Sequence, residues 1–304
     1  MYQKCIVITS QLWILSRLFV KSRLVQFVNL APLMEPKLGI VAGGGELPRK
    51  LASACIDNGR EFLILALEGQ TNKRMIESFP YKTIRMGDVG KGIKFLRDAQ
   101  VIELVFAGSI KRPSLRELKL DAWALKKAAL LGLKWIGDDS ILSKLIQALE
   151  GEGFSVIGPD DILSNCIASP GTYGKNFPTD EQEADIKHGL RVARVVGELD
   201  IGQAAVVQQG IVLGVEGIDG TDALIRRCTP LQRSGLGAIL IKTCKPQQER
   251  RIDLPVIGVD TIKTLVQSKF SGVVIEAGRA IVLDKNELTG IADQSGVFVM
   301  AVEF

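Results

Sequence analysis

The run Leu38-Gly39-Ile40-Val41-Ala42, closed by Gly43-Gly44-Gly45, constrains the fold of this chain most. Five uncharged residues ending in a glycine turn read as a strand buried on both faces. Glu46-Leu47-Pro48 then opens a helix through about Asn58, with its proline near the first turn. Further apolar runs follow at 62–67, near 82–86 and at 102–107, with helical stretches near 70–78 and at 89–98. Strands alternating with helices at this spacing are βαβ units around a parallel sheet. The spacing therefore predicts an α/β domain over 34–167. Residues 114–152 read as helical throughout, and Leu142, Leu145, Ile146 and Leu149 mark one apolar face of core residues.

Residues 168–182 contain two prolines, two glycines and no apolar period. This composition predicts a linker that lets the flanking halves move. Beyond it the pattern predicts a second α/β domain over 183–304. A helix at 181–197 precedes strands at 204–208 and 211–216, whose Gln209-Gly210 turn suggests a hairpin. A helix from 221, strands at 237–243 and 256–259, and a helix at 260–269 come next. Strands at 272–276 and 280–284, a short helix at 285–293 and a strand at 297–302 complete the chain. Hairpins among βα units make the second sheet mixed.

Charge and composition exclude several functions. The chain of 304 residues has 38 basic and 34 acidic side chains. Lys4, Arg17, Lys21 and Arg23 supply the whole excess, so residues 34–304 are neutral and give no argument for nucleic-acid binding. A single histidine, His188, removes histidine-rich zinc sites and Ser-His-Asp triads from the first rank. Five scattered cysteines without a CxxC pair fit a reducing cytosol and read as buried thiols. Residues 1–33 are apolar and basic and lack glycine, whereas the remainder holds all 31 glycines. Their cations interrupt any spanning stretch, and no signal-peptide cleavage pattern follows. They read as a disordered or mis-called extension before Met34, or as a basic amphipathic segment on a membrane surface.

Two glycine-bearing strand ends stand out as ligand sites: Gly44-Gly45, and Gly108-Ser109 ahead of Lys111-Arg112-Pro113. Ligands of open parallel sheets lie at the carboxyl ends of strands, and amides at a helix start attract anions. The alternative is a tight turn with no ligand. Asp138-Asp139 read first as a helix cap. In the second half Glu216 ends a strand and Thr221-Asp222 starts a helix, so their carboxylates could share a hard cation or Thr221-Asp222 could simply cap. Lys245, Arg250 and Arg251 could neutralise a pyrophosphate while Asp253 orients water or holds a metal, although such runs are usually solvated ion pairs.

Taken together, these segments resemble the LpxI family, the UDP-2,3-diacylglucosamine pyrophosphatases of lipid A biosynthesis. The match runs in order from about Lys37 to the C-terminus. It is carried by residues 38–48, Phe106-Ala107-Gly108-Ser109 with Arg112-Pro113, Gly137-Asp138-Asp139, and Leu199-Asp200-Ile201-Gly202-Gln203. It continues through Val215-Glu216 with Gly220-Thr221-Asp222-Ala223, Lys245-Pro246 with Gln248-Glu249, Asp253-Leu254-Pro255 and Glu276-Ala277-Gly278-Arg279. The resemblance implies two α/β domains, the first Rossmann-like, with substrate in the cleft between them. It implies Mg²⁺-dependent hydrolysis to UMP and 2,3-diacylglucosamine 1-phosphate (lipid X), with water attacking the phosphorus on the lipid-sugar side. Asp253 is the catalytic candidate, and Asp253, Asp222 and Glu216 are the candidate metal ligands. Gly44, Gly45, Gly108, Ser109, Gln203, Thr221, Asp222 and Lys245 are the candidate substrate contacts. A homodimer in the cytoplasm, possible peripheral contact with the inner membrane and no nucleic-acid partner complete the expectation. Trp123 and the leucines of 114–152 would offer the acyl chains an apolar surface, or serve as ordinary core.

Two other readings remain. A nucleotide-sugar or NAD-dependent oxidoreductase would want G-x-G-x-x-G and an acid about 20 residues on. The triple glycine lacks that spacing, though Glu68 stands near the right place. A non-catalytic UDP-sugar-binding regulator is the third.

Overall fold

The computed structural model describes residues 35–304 apart from 111–117, 131–137, 164 and 247–248. The extension and the Lys111-Arg112-Pro113 segment lie outside the described residues, as do residues 114–117 and 131–137 of the stretch expected to be helical.

The first half is the parallel α/β unit that the opening motif requires. Strands β1 (Leu38–Ala42), β2 (Phe62–Leu67), β3 (Tyr81–Ile84), β4 (Glu103–Ala107) and β5 (Ser155–Ile157) form one sheet in the order β3-β2-β1-β4-β5. All its pairs are parallel. Helices α1 (Leu47–Asp57), α2 (Val89–Asp98), α3 (Ala122–Leu130) and α4 (Asp138–Glu150) connect them. The strand order reverses between β1 and β4, which defines a Rossmann-like switch point. Leu38, Ile40 and Ala42 on β1 are fully buried because both sheet faces are covered.

The second half is built on six strands ordered β6-β13-β11-β9-β7-β8. These are β6 (Gly171–Tyr173), β7 (Ala204–Gln208), β8 (Ile211–Val215), β9 (Ile239–Lys242), β11 (Gly272–Glu276) and β13 (Phe298–Val302). The β9, β11 and β13 strands run parallel, while β6, β7 and β8 pair antiparallel, so the sheet is mixed as expected. One face carries α5 (Asp180–Glu198), and the other carries α6 (Thr221–Cys228), α7 (Val259–Gln267) and α8 (Lys285–Ser295). A separate parallel pair, β10 (Val256–Ile257) and β12 (Ile281–Val282), lies beside them.

The stretch expected to be a free linker is not one. Residues 171–173 form edge strand β6 against β13, and the backbone of Ala168 bonds to Ala280 and Gly278. The halves also share a core. Cys244, Leu254, Ile281 and Leu283, all from the second half, are buried in one cluster with Leu38, Ile40, Leu47 and Leu51. Exposing three such aliphatic side chains would cost on the order of 5 kcal/mol. Lys50–Asp284 and Arg251–Glu150 ion pairs cross the same boundary. Contacts accordingly join Pro36–Phe304 into a single unit.

The two glycine turns cross each other. Because Ala42 and Ala107 are in register, both chains leave the sheet at one level. The Gly43 amide donates to the Ala107 carbonyl at 2.8 Å, and Gly44 and Ser109 exchange bonds at 2.7 and 3.0 Å. A Cβ on Gly43 would stand 2.4 Å from the Ser109 oxygen, and one on Gly108 (φ 91°) only 2.1 Å from the Gly44 oxygen. Gly43→Ala and Gly108→Ala are each expected to lower the urea-unfolding free energy by about 2 kcal/mol or more. Gly290→Ala, in α8 with open space around it, should be neutral or stabilising by up to about 1 kcal/mol. Similar values for all three would contradict the crossing as the reason for these glycines.

Candidate active site

The crossing of the turns corrects one expectation. The amides of Gly43 and Gly44 are spent on backbone carbonyls, so they do not form a phosphate cradle. Gly108 serves the crossing as well. What this edge leaves open is exposed Gly45, at φ 87° with space around its α-carbon, the α1 start behind it, and the exposed Ser109.

The carboxyl end of β9, with its neighbours β7, β8 and β11, carries the polar residues of the second half. Glu216, just beyond β8, is buried and occupied at both oxygens. It accepts the Gln203 amide at 2.9 Å and the Thr221 hydroxyl at 2.6 Å. Gly202 fits beside it because a Cβ there would lie 2.4 Å from the Glu216 backbone carbonyl oxygen. Glu216 and Thr221 thus form a clasp between the β8 end and the α6 start, rather than presenting ligands. The Gln203 carbonyl receives the Thr243 amide, and the buried Gln203 Oε1 and Thr243 Oγ1 have no hydrogen-bond partner among the described residues. Lys245, expected at the substrate, points elsewhere: its ammonium is buried and lies 2.6 Å from Asp200. Asp200 takes a left-handed backbone (φ 55°) at the end of α5. The motif 199–203 is therefore an anchor for the strand ends.

Glu276, at the end of β11, accepts the Cys244 amide at 3.0 Å and Arg279 at 3.1 Å. Burial pushes the Cys244 thiol up to about 11, so at neutral pH it stays protonated. Burial is the main cause of that shift, with smaller opposing effects from the charges of Arg279, Glu276, Asp253 and Arg250. In the loop after β9, Arg251 grips Glu249 with two bonds of 3.0 Å and reaches Glu150 at 2.7 Å. Its guanidinium holds Glu249 below the usual carboxylate range. Arg251 is therefore committed to the fold, contrary to expectation. Arg250 bonds only a neutral carbonyl, that of Gly278 at 2.8 Å, so among the described residues its charge has no carboxylate partner.

Elimination of the engaged acids at this edge leaves Asp253 and Asp222. Asp200, Glu216, Glu249 and Glu276 are all held by protein groups. The half-buried carboxylate of Asp253 and the exposed one of Asp222 take no hydrogen bond or ion pair among the described residues. The expected trio of Asp253, Asp222 and Glu216 does not form a metal cage, since no group of three His, Cys, Asp or Glu among the described residues is placed to hold an ion. A Mg²⁺ held by one carboxylate and substrate phosphates needs no such cage, and the free Asp253 carboxylate fits that mode.

Trp123 packs on the core, and its indole donates to Glu152 at 3.2 Å. The side chains of Asp138 and Asp139 lie outside the described residues. The roles of Asp200 and Glu150 were missed, because their partners Lys245 and Arg251 are distant in sequence.

A Rossmann-like sheet and a mixed sheet on a common core define a two-domain α/β protein. Family profiles sharpen this: the LpxI N-terminal domain matches residues 37–166 and the LpxI C-terminal domain matches 169–300. The chain belongs to the LpxI family. It is 39% identical over 274 residues to "UDP-2,3-diacylglucosamine pyrophosphatase LpxI" of Caulobacter vibrioides, covering 88% of this chain and 98% of the relative. Among solved structures, CobK precorrin-6A reductase aligns over 88% of this chain and 87% of its own, at a TM-score of 0.30 and 12% identity, values too low to carry an argument.

Glu216→Ala would strand the Gln203 amide and the Thr221 hydroxyl, and is expected to cost about 2–3 kcal/mol of stability. Asp253→Ala and Asp222→Ala should each change it by less than about 0.5 kcal/mol. Urea unfolding of the three variants tests the division; equal losses would contradict it.

Proposed function

We propose that this chain hydrolyses the pyrophosphate of UDP-2,3-diacylglucosamine to UMP and 2,3-diacylglucosamine 1-phosphate, a step of lipid A synthesis. The observation that carries the reading is the 39% identity spanning 98% of a relative with that named substrate. The free Asp253 carboxylate supports it, because it stands where neighbouring acids are already engaged. Substrate would lie along the carboxyl edges of the two sheets, with its diphosphate near Gly45, Ser109, Arg250 and Asp253.

In this reading the Asp253 carboxylate accepts a hydrogen bond from the attacking water and orients it toward the phosphorus on the lipid-sugar side. The new P–O bond forms there, the bond to the bridging oxygen breaks, and that oxygen leaves with UMP. The water proton passes to the Asp253 carboxylate and then to solvent. Arg250, whose charge no carboxylate cancels, faces the charge that develops on the leaving phosphate. Bound Mg²⁺, held by Asp253 and the phosphates, would neutralise diphosphate charge. Asp222, exposed at the α6 start, is a further contact of the second half.

The protein would act as a homodimer in the cytoplasm, with peripheral contact to the membrane that holds its acylated substrate. Among the described residues no helix is long and apolar enough to cross a membrane.

The test is UMP release from UDP-2,3-diacylglucosamine with and without Mg²⁺. Wild-type protein should release UMP only with the metal. Asp253→Asn should be slower by about a hundredfold or more while still binding substrate. A variant that retains more than about a tenth of the wild-type rate contradicts the assignment of Asp253.

A further inference from the structure

The turn after β11 brings two arginines and one buried carboxylate together. Residues Glu276-Ala277-Gly278-Arg279 close on themselves: the Arg279 amide donates to the Glu276 carbonyl at 3.3 Å, and Gly278 supplies the left-handed backbone (φ 71°). The Ala277 amide bonds Val302 and the Gly278 amide bonds Ala168, both at 2.8 Å, so the turn is pinned on two sides. Within it the Glu276 side chain is only 5% exposed, whereas those of Arg279 and Arg250 reach solvent. A carboxylate buried to that degree is costly unless it is paired. One Glu276 oxygen accepts only the neutral Cys244 amide, at 3.0 Å. The other accepts Arg279 at 3.1 Å, the one cation bonded to Glu276 among the described residues.

Arg250 stands on the same turn, at 2.8 Å from the Gly278 carbonyl, two residues along from Glu276. Two guanidiniums thus share a neighbourhood with one carboxylate, and Arg279 holds it. An exposed arginine has many rotamers open to it, and one bond to a neutral carbonyl does not keep it from an unpaired carboxylate nearby. We infer that Arg279 is a positioning residue: by neutralising Glu276 it leaves the Arg250 charge to an anionic ligand, without touching that ligand itself. Loss of Arg279 alone leaves a buried negative charge beside the diphosphate position, which repels the ligand and draws Arg250 inward. Loss of both charges together restores a neutral turn and frees Arg250 again. This role rests on the proposed placement of the diphosphate near Arg250 and Asp253, and it names the residue that keeps Arg250 available there.

Titration calorimetry with UDP in Mg²⁺ tests it on wild type, Arg279→Ala, Glu276→Gln and the double variant, with folding checked by thermal unfolding. Arg279→Ala should bind UDP about tenfold more weakly than wild type. Glu276→Gln keeps an acceptor for the Cys244 amide and should bind at least as tightly as wild type. The double variant should return to within about threefold of wild type, since the two effects are coupled rather than additive. A double variant as weak as Arg279→Ala means that Arg279 grips the ligand directly, and overturns the inference. Unchanged binding by Arg279→Ala, weakened binding by Glu276→Gln, or no measurable UDP binding by wild type overturns it as well. Should Arg279→Ala fail to fold, Arg279→Gln, which keeps a donor to Glu276 and removes only the charge, is read in the same way. Failure of the hydrolase reading looks different: no UMP release from the lipid-linked nucleotide while the UDP pattern stands.

Discussion

Burial of Leu254, Ile281 and Leu283 against the first sheet is the contact on which the remaining architecture depends. These side chains belong to the second half in sequence and to the first half in packing. Leu254 directly follows Asp253, so the free carboxylate is fixed relative to β1 and β4 by the hydrophobic effect rather than by a hinge. The Ile281 and Leu283 amides bond to Pro255 and Ile257 at 2.7 and 2.9 Å, which ties the same loop to β12. A single rigid frame therefore presents the edges of both sheets together.

On that frame the charges divide into two kinds. Asp200 with Lys245, Glu249 with Arg251, and Glu276 with Arg279 are committed pairs that set loop geometry. Asp253 and Asp222 are acids without such partners among the described residues, and Arg250 is a cation whose bond is to a neutral carbonyl. Chemistry on an anionic substrate needs groups of the second kind, because a charge already neutralised by its neighbour has little left to give a ligand. The paired groups hold the unpaired ones in position.

The sequence made the element types legible where period and turn chemistry agree. The Leu38–Ala42 strand, the Val89–Asp98 helix and the Gln209-Gly210 hairpin follow directly from pattern. Three-residue β5 and β6 escaped it, since neither is long enough to show a period. The site was legible in part. Asp253 was singled out as an acid in a cationic segment, and it is free. Lys245, Glu216 and Thr221 read as ligands in the sequence, and the structure gives each a protein partner; side-chain pairing across 45 residues, as in Asp200–Lys245, leaves no periodic trace. Gly43 and Gly44 read as a phosphate turn because the same residue type serves close backbone approach.

Hydrogen exchange on free and UDP-bound protein in Mg²⁺ tests the rigid two-sided frame most directly. Protection on binding should appear together near 45–50, 107–110 and 250–255, while the amides of Ile281 and Leu283 are already slow in the free protein and change little. Protection confined to the first half, or seam amides that exchange fast until ligand slows them, would contradict the account.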